Sequence, residues 1–257
     1  MLKTATHRIL SYLKYRIKAK GKYKIHSPFV YELYTEGIHQ KTSKDFFSDI
    51  ENYRKKLKEN YAIIEVIDLG ASNKKNKKKS ISSIAKSSPS TPRKAQQIYS
   101  IAKFLDAKNI LELGTNLGVG TAYLAKACSE AEIKTLEACP NILGVAQAFL
   151  KNIKHQNLQL ICSDFDNYLS NNSLSHDLVF IDGNHTKEAT LRYFEVFLKK
   201  NNKEFAILFD DIYWSKGMTE AWETIKKNKK VNLSIDFYSF GLVFIGKDIS
   251  KQDFVLR

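Results

Sequence analysis

Several short stretches carry residue types that could do chemistry where an apolar run meets a turn. In Asn109 to Ala125, NILELGTNLGVGTAYLA, the run Ile110, Leu111 and Leu113 leads into Gly114, Gly118 and Gly120. Glycine tolerates positive φ and has no Cβ, so such a turn can bend sharply and let a ligand approach the backbone. A helix starting near Gly120 would direct its free N–H groups at that ligand. Glu112 stands where a strand end could offer a carboxylate to a cationic or hydroxyl-bearing group. The run Glu132 to Glu137 ends in a second acid about 20 residues later, a position from which a carboxylate can accept hydrogen bonds from ribose hydroxyls. Farther on, DLVFIDGNH brings Asp182, Gly183 and His185 to a strand end, and AILFDDIYW does the same for Asp210 and Asp211. Three carboxylates at neighbouring strand ends repel one another unless a cation or a proton neutralises them.

The elements that must position these residues follow from periodicity. Continuous apolar runs alternating with helical patterns indicate a parallel sheet with right-handed crossovers. The pattern places strands near 109–114, 132–137, 158–162, 177–182 and 205–210. A terminal antiparallel hairpin follows, Leu233 to Tyr238 with Leu242 to Ile245. The helix from Pro92 to Leu105 should start on Thr91 as N-cap with Pro92 in its first turn. The expected fold is α/β: a doubly wound, mostly parallel sheet preceded by an N-terminal helical extension. Two domains are expected, a basic extension over residues 1–85 and a cofactor-binding domain over 86–257.

A glycine turn alone suits a bound nucleotide or a plain βα corner equally. Its spacing after an acid, G-x-x-x-G-x-G, departs from the dinucleotide fingerprint G-x-G-x-x-G. It resembles the first motif of the class I S-adenosylmethionine-dependent methyltransferases, in the E-x-G-x-x-x-G form of their O-methyltransferase branch. That resemblance covers roughly residues 86–246 and implies a Rossmann-like, seven-stranded sheet. It implies cofactor binding by Glu112, Gly114, Gly118, Gly120, Glu137, Asp164 and Phe165, the last two matching the acid and apolar residue that such enzymes set beside the adenine. The strand ends resemble those of the metal-dependent catechol and caffeoyl-CoA O-methyltransferases. The resemblance implies catalytic roles for Asp182, His185 and Asp210, and a divalent cation such as Mg²⁺ held by Asp182, Asp210 and Asp211. Two departures stand out: Asp211 replaces an amide, and His185 occupies the place of the family's catalytic lysine. A histidine there could take a hydroxyl proton near neutral pH. Trp214, Met218 and Trp222 could wall an acceptor pocket, although helix packing explains Trp222 equally.

The expected activity is O-methylation of a small hydroxylated acceptor. The alternative is methylation of RNA or another polyanion, docked through the basic N-terminal region; a cofactor-binding module without catalysis is a third reading. Charge keeps the second open. The net +14 resides in residues 1–100, with 22 Lys and Arg against 8 Asp and Glu, while residues 101–257 are balanced at 19 and 19. Residues 1–24 form a basic amphipathic pattern in which Ile9, Leu10, Leu13 and Ile17 recur at helical spacing. Docking of that apolar stripe on its own domain is the first expectation, with a membrane surface or nucleic acid as alternatives. A helix is expected over Ser43 to Asn60. Residues 63–69, IIEVIDL, read as a buried strand, and the NKKNKKK run of Asn73 to Lys79 as a mobile loop.

Three cysteines without a C-x-x-C pair suggest neither a zinc site nor a disulfide framework. With 43% hydrophobic and 26% charged residues, and no apolar stretch of membrane-spanning length, a cytoplasmic protein is expected, with a homodimer an option.

Overall fold

The computed structural model describes residues 2–39, 42–68, 75–87 and 90–257. In chain order, α1 (Leu2–Lys18) is followed by α2 (Pro28–Glu32), which widens into a π turn over Leu33–Ile38, and by α3 (Ser48–Glu59). Next come β1 (Ile63–Asp68), β2 (Lys75–Ser80), α4 (Ile81–Ser87) and α5 (Pro92–Phe104). Strand and helix then alternate through β3 (Asn109–Leu113), α6 (Val119–Ala127), β4 (Glu132–Glu137), α7 (Pro140–Leu150), β5 (Leu158–Cys162), α8 (Phe165–Asn171), β6 (Leu178–Ile181), α9 (Lys187–Lys200), β7 (Phe205–Asp210) and α10 (Lys216–Lys227). The last strands are β8 (Val231–Asp236), β9 (Phe240–Ile245) and β10 (Gln252–Val255).

The larger sheet has the order β10-β8-β9-β7-β6-β3-β4-β5. β4 and β5 pair in parallel, as do β6 and β7, while β9 runs antiparallel to both β7 and β8. This is a doubly wound, mostly parallel α/β fold. It has eight strands rather than the expected seven because β10 adds in parallel to the edge of β8. That strand, QDFV, is short and half polar, and edge pairing rather than apolar burial holds it in place.

The chain divides into two compact units. One comprises Met1–Pro28, Asn109–Leu111 and Asp166–Arg257; the other comprises Phe29–Lys108 and Glu112–Phe165. The boundary expected near residue 85 falls inside the second unit. There Phe47 and Ile50 of the α3 region share a core with Ala95, Tyr99, Ala122, Tyr123, Ala146 and Leu150. A second cluster joins Leu57, Val66, Ile81 and Ile84 to Leu117, Cys139 and Ile142. α3, β1 and α4 thereby contribute side chains to the layer around the glycine turn.

Three expectations change. Ile63–Asp68 is a strand, but it belongs to a separate two-stranded sheet with β2, and Ile63 is exposed. The lysine run supplies the partner strand, with Glu65 opposite Lys78 in the antiparallel register, where opposite charges favour pairing. The stretch 69–74, which holds Gly70, Ala71, Ser72 and Asn73, lies outside the described residues. Third, the apolar stripe of α1 does not dock on the protein: Ile9, Leu10, Leu13 and Ile17 are all more than half exposed, and the helix packs through His7, Ser11 and Tyr15 instead. Among the described residues no helix is long and apolar enough to cross a membrane.

Candidate functional site

In the second unit the glycine turn is fixed from several directions. β3 is almost entirely buried, as a strand covered on both faces must be. Beyond it, Gly114 has φ 119° and Gly118 φ 81°, backbone that L side chains rarely adopt. The N–H groups of Gly114 and Thr115 both donate to the Leu136 carbonyl, at 3.0 and 2.9 Å, which ties the turn to the end of β4. Gly118 is the N-cap of α6 and supplies no side chain to the helix's first N–H groups. A Cβ there would lie 3.1 Å from both the Ala146 and the Leu150 side chains. The missing side chain at Gly118 thus serves close packing of α6 on α7 as well as the turn.

Glu137, at the end of β4, accepts the Cys139 N–H at 2.9 Å and the Asn116 N–H at 3.1 Å. Burial pushes its pKa up, and these backbone donors act against that rise. The carboxylate is thereby held at one orientation beside the turn, with lone pairs remaining for further hydroxyl donors. Asp164 is exposed and Phe165 half-buried just past β5, and the Ser163 N–H donates to the Glu137 carbonyl at 3.2 Å.

Glu112 takes a different place from the one its position suggests. Its side chain is buried, and Oε2 accepts the hydroxyls of Thr121 at 2.5 Å and Thr135 at 2.6 Å. The Thr115 and Thr135 hydroxyl oxygens are 2.6 Å apart, so Thr115 can donate onward in a chain that ends at the carboxylate. Burial raises the Glu112 pKa from 4.5 to about 7, with the two hydroxyl donors opposing the shift. Sequence reasoning missed these threonines, although Thr121 lies in the first turn of α6. It also missed Tyr53. The Tyr53 hydroxyl donates to the Leu117 carbonyl at 3.0 Å, and its ring stacks on Phe149 with centroids 3.5 Å apart. No motif signals Tyr53, because it comes from a helix more than fifty residues upstream. A groove of about 900 Å³ between α3 and α7 contains none of the residues expected to hold the cofactor.

In the first unit, Asp182 follows β6 and His185 follows three residues later, with Nε2 3.7 Å from Asp182 Oδ1. Each side chain is about one-third exposed, at 31% and 29%. Asn184 between them has φ 50° and donates through Nδ2 to the Tyr193 hydroxyl at 3.1 Å. Thr186 then caps α9 by accepting the Ala189 N–H. At the end of β7, Asp210 is buried, while Asp211 is half-buried with φ 51° and donates its N–H to the Ser239 carbonyl at 3.0 Å. A non-glycine residue in the left-handed region costs about 1–2 kcal/mol, and such strain clusters where a turn must aim a side chain. Both strand-end turns carry one.

Among the described residues no group of three or more His, Cys, Asp or Glu is arranged to hold a metal ion. Asp182, Asp210 and Asp211 do not form such a group. Buried Asp210 sits in the β7 ladder opposite Phe240, and Asp211 is turned by its left-handed backbone. Met218 and Trp222 are core residues: the indole covers Gly241, where a Cβ would fall within 2.6 Å of the ring. Only Trp214 is exposed, with the Arg8 guanidinium 4.8 Å from its ring centroid. An acid unremarked in the sequence, Asp236, is buried here and accepts the Tyr213 hydroxyl at 2.6 Å and the Tyr238 N–H at 2.8 Å.

Residues 111–212 match the family model described as a methyltransferase domain. No curated protein matches the sequence. Among solved structures, the fold is similar to SAH-bound Podospora anserina methyltransferase PaMTH1, with 16% identity, 81% of this chain and 98% of that one covered, and a TM-score of 0.56. The O-methyltransferase from Bacillus cereus in complex with SAH gives 16% identity, 80% and 92% coverage and a TM-score of 0.55. The O-methyltransferase TomG from Streptomyces achromogenes in complex with SAM gives 16%, 60% and 80%, and 0.50. The chain has the fold of these class I methyltransferases, and its residues 111–212 are similar to a methyltransferase domain.

Proposed function

We propose that this methyltransferase domain uses S-adenosylmethionine to methylate a hydroxyl of a small acceptor. The observation that carries the cofactor half is Glu137, fixed by two backbone N–H groups next to a turn whose Gly114 and Gly118 are left-handed. A half-buried carboxylate with a set orientation suits the two hydroxyls of a ribose. Asp164 and Phe165 would border the adenine, and the first turn of α6, with Gly120, would present N–H groups to the amino-acid end. Glu112 acts by holding α6 to β4 through Thr121 and Thr135, which makes it a positioning residue. The cofactor supplies a methyl group on a sulfonium, an electrophile that needs an aligned nucleophile and no further activation by the protein.

What the chain must add is removal of the acceptor's proton. His185 takes that proton on its ring, and Asp182, within ion-pair distance, stabilises the imidazolium that results. Asp210 and Asp211 orient the acceptor, and no step is assigned to a metal ion.

Calorimetry with S-adenosylmethionine tests the cofactor half. Binding should be seen for the native chain and lost in Gly114→Arg, in which a long side chain is forced onto left-handed backbone. Unchanged affinity in a folded variant would remove the assignment.

A further inference from the structure

Helix α1 is built inside out. Its packed stripe is polar and recurs every four residues: His7 Nε2 lies 3.0 Å from Thr219 Oγ1, Ser11 is buried, and the Tyr15 hydroxyl donates to the Leu256 carbonyl at 2.5 Å. Tyr238 completes the seat, donating to the Arg8 carbonyl at 2.9 Å and meeting the Tyr12 and Tyr15 rings at 5.0 and 5.4 Å. Ile9, Leu13 and Ile17 each follow a packed residue by two positions, about 200° round the helix, and so occupy the opposite face. They are 61%, 53% and 86% exposed, and Leu10 beside them is 53% exposed. A surface helix normally turns such a stripe to the core. Here it is held outward by contacts on the other side.

Charge selects what could cover it. The first 31 residues contain eight Lys and Arg and no Asp or Glu. Arg8, Lys14, Arg16 and Lys18 are exposed along the helix, and directly after it Tyr23 is 88% exposed between Lys22 and Lys24. A second copy of the chain would oppose cations to cations. Nucleic acid would neutralise the cations but leave Ile9, Leu13 and Ile17 in water. An anionic lipid surface satisfies both features, because headgroups pair with the cations while the acyl boundary takes up the apolar stripe.

We propose that α1 docks the protein on an anionic lipid bilayer, with Ile9, Leu13 and Ile17 inserted at the acyl boundary and Lys14, Arg16 and Lys18 at headgroup level. This assignment stands independently of the methyl-transfer chemistry.

Co-sedimentation of the full chain with vesicles tests it. The protein should partition onto phosphatidylcholine vesicles containing phosphatidylglycerol at least about tenfold better than onto phosphatidylcholine alone, and rising salt should weaken the binding. Leu13→Ser with Ile17→Ser should reduce binding by at least about tenfold without moving Tm, since both side chains are exposed and support no core. Lys14→Gln with Lys18→Gln should reduce it on anionic vesicles only. Equal binding to both vesicle types, or undiminished binding by the Ser variant, would overturn the assignment. So would absence of vesicle binding together with a dimer that Ile17→Ser dissolves, which would give the face to a second copy. Binding to RNA that survives the Ser variant, with vesicles left unbound, would give it to nucleic acid.

Discussion

Around the glycine turn, carboxylates are gripped from inside the protein: Glu112 by two threonine hydroxyls and Glu137 by two backbone N–H groups. At the ends of β6 and β7 the arrangement is looser. Asp182 and His185 are about one-third exposed and 3.7 Å apart, and the backbone on either strand end passes through a left-handed residue. The first region is organised to hold one shape, which suits a ligand that is always the same. The second presents partly exposed polar groups at strand ends, which suits an acceptor and its proton. Changes in the first should therefore register in stability and cofactor affinity, and changes in the second in turnover.

The sharpest test of that division is His185→Gln. Turnover should fall by about 10²–10⁴-fold, the usual worth of a positioned general base, with cofactor affinity unchanged by calorimetry. Retained activity would remove His185 as the base.

Glu112→Gln should act on stability instead. The carboxyl has a pKa of about 7 when folded against 4.5 for the ordinary group. Between those values the folded chain keeps a proton that the unfolded chain has released, so this group's contribution falls as pH rises across that window. The full loss above pH 7 amounts to about 3 kcal/mol. Comparing Tm at pH 5 and pH 8 should show a smaller drop in the Gln variant than in the native chain; an equal drop would mean that Glu112 is not the titrating group.

Gly118→Ala should cost about 2 kcal/mol. It combines a side chain on left-handed backbone with a Cβ 3.1 Å from Ala146 and Leu150. Urea unfolding would measure it, and a neutral result would show that α6 can shift from α7. The smallest effect should come from chelation: EDTA should leave turnover intact, because the proposed proton transfer uses the His185 ring with Asp182 beside it. A loss restored by Mg²⁺ would show that the acceptor or cofactor gathers Asp182, Asp210 and Asp211.

Much of the α/β frame was legible in the chain. Strands buried on both faces, such as Ile110 to Leu113 and Leu178 to Ile181, must be continuously apolar, and a helix start such as Thr91-Pro92 carries its own cap. The positions of Glu137 and His185 followed because a strand end puts its last residues in a known place. What escaped depends on partners distant in sequence. β10 is short and half polar and exists through its pairing with β8. The lysine run is a strand only because β1 lies opposite it. Tyr53 reaches the glycine turn from α3 without any motif.

The chain by itself determined the strand order's raw material, the glycine turn and the acids that end the strands, because periodicity and local backbone demands are properties of neighbouring residues. Only the tertiary structure decided which way each side chain faces. It turned Glu112 into a buried tie, Met218 and Trp222 into core, and the apolar stripe of α1 outward. A helical period records that two faces differ, and only the surface against which the helix packs decides which face is hidden.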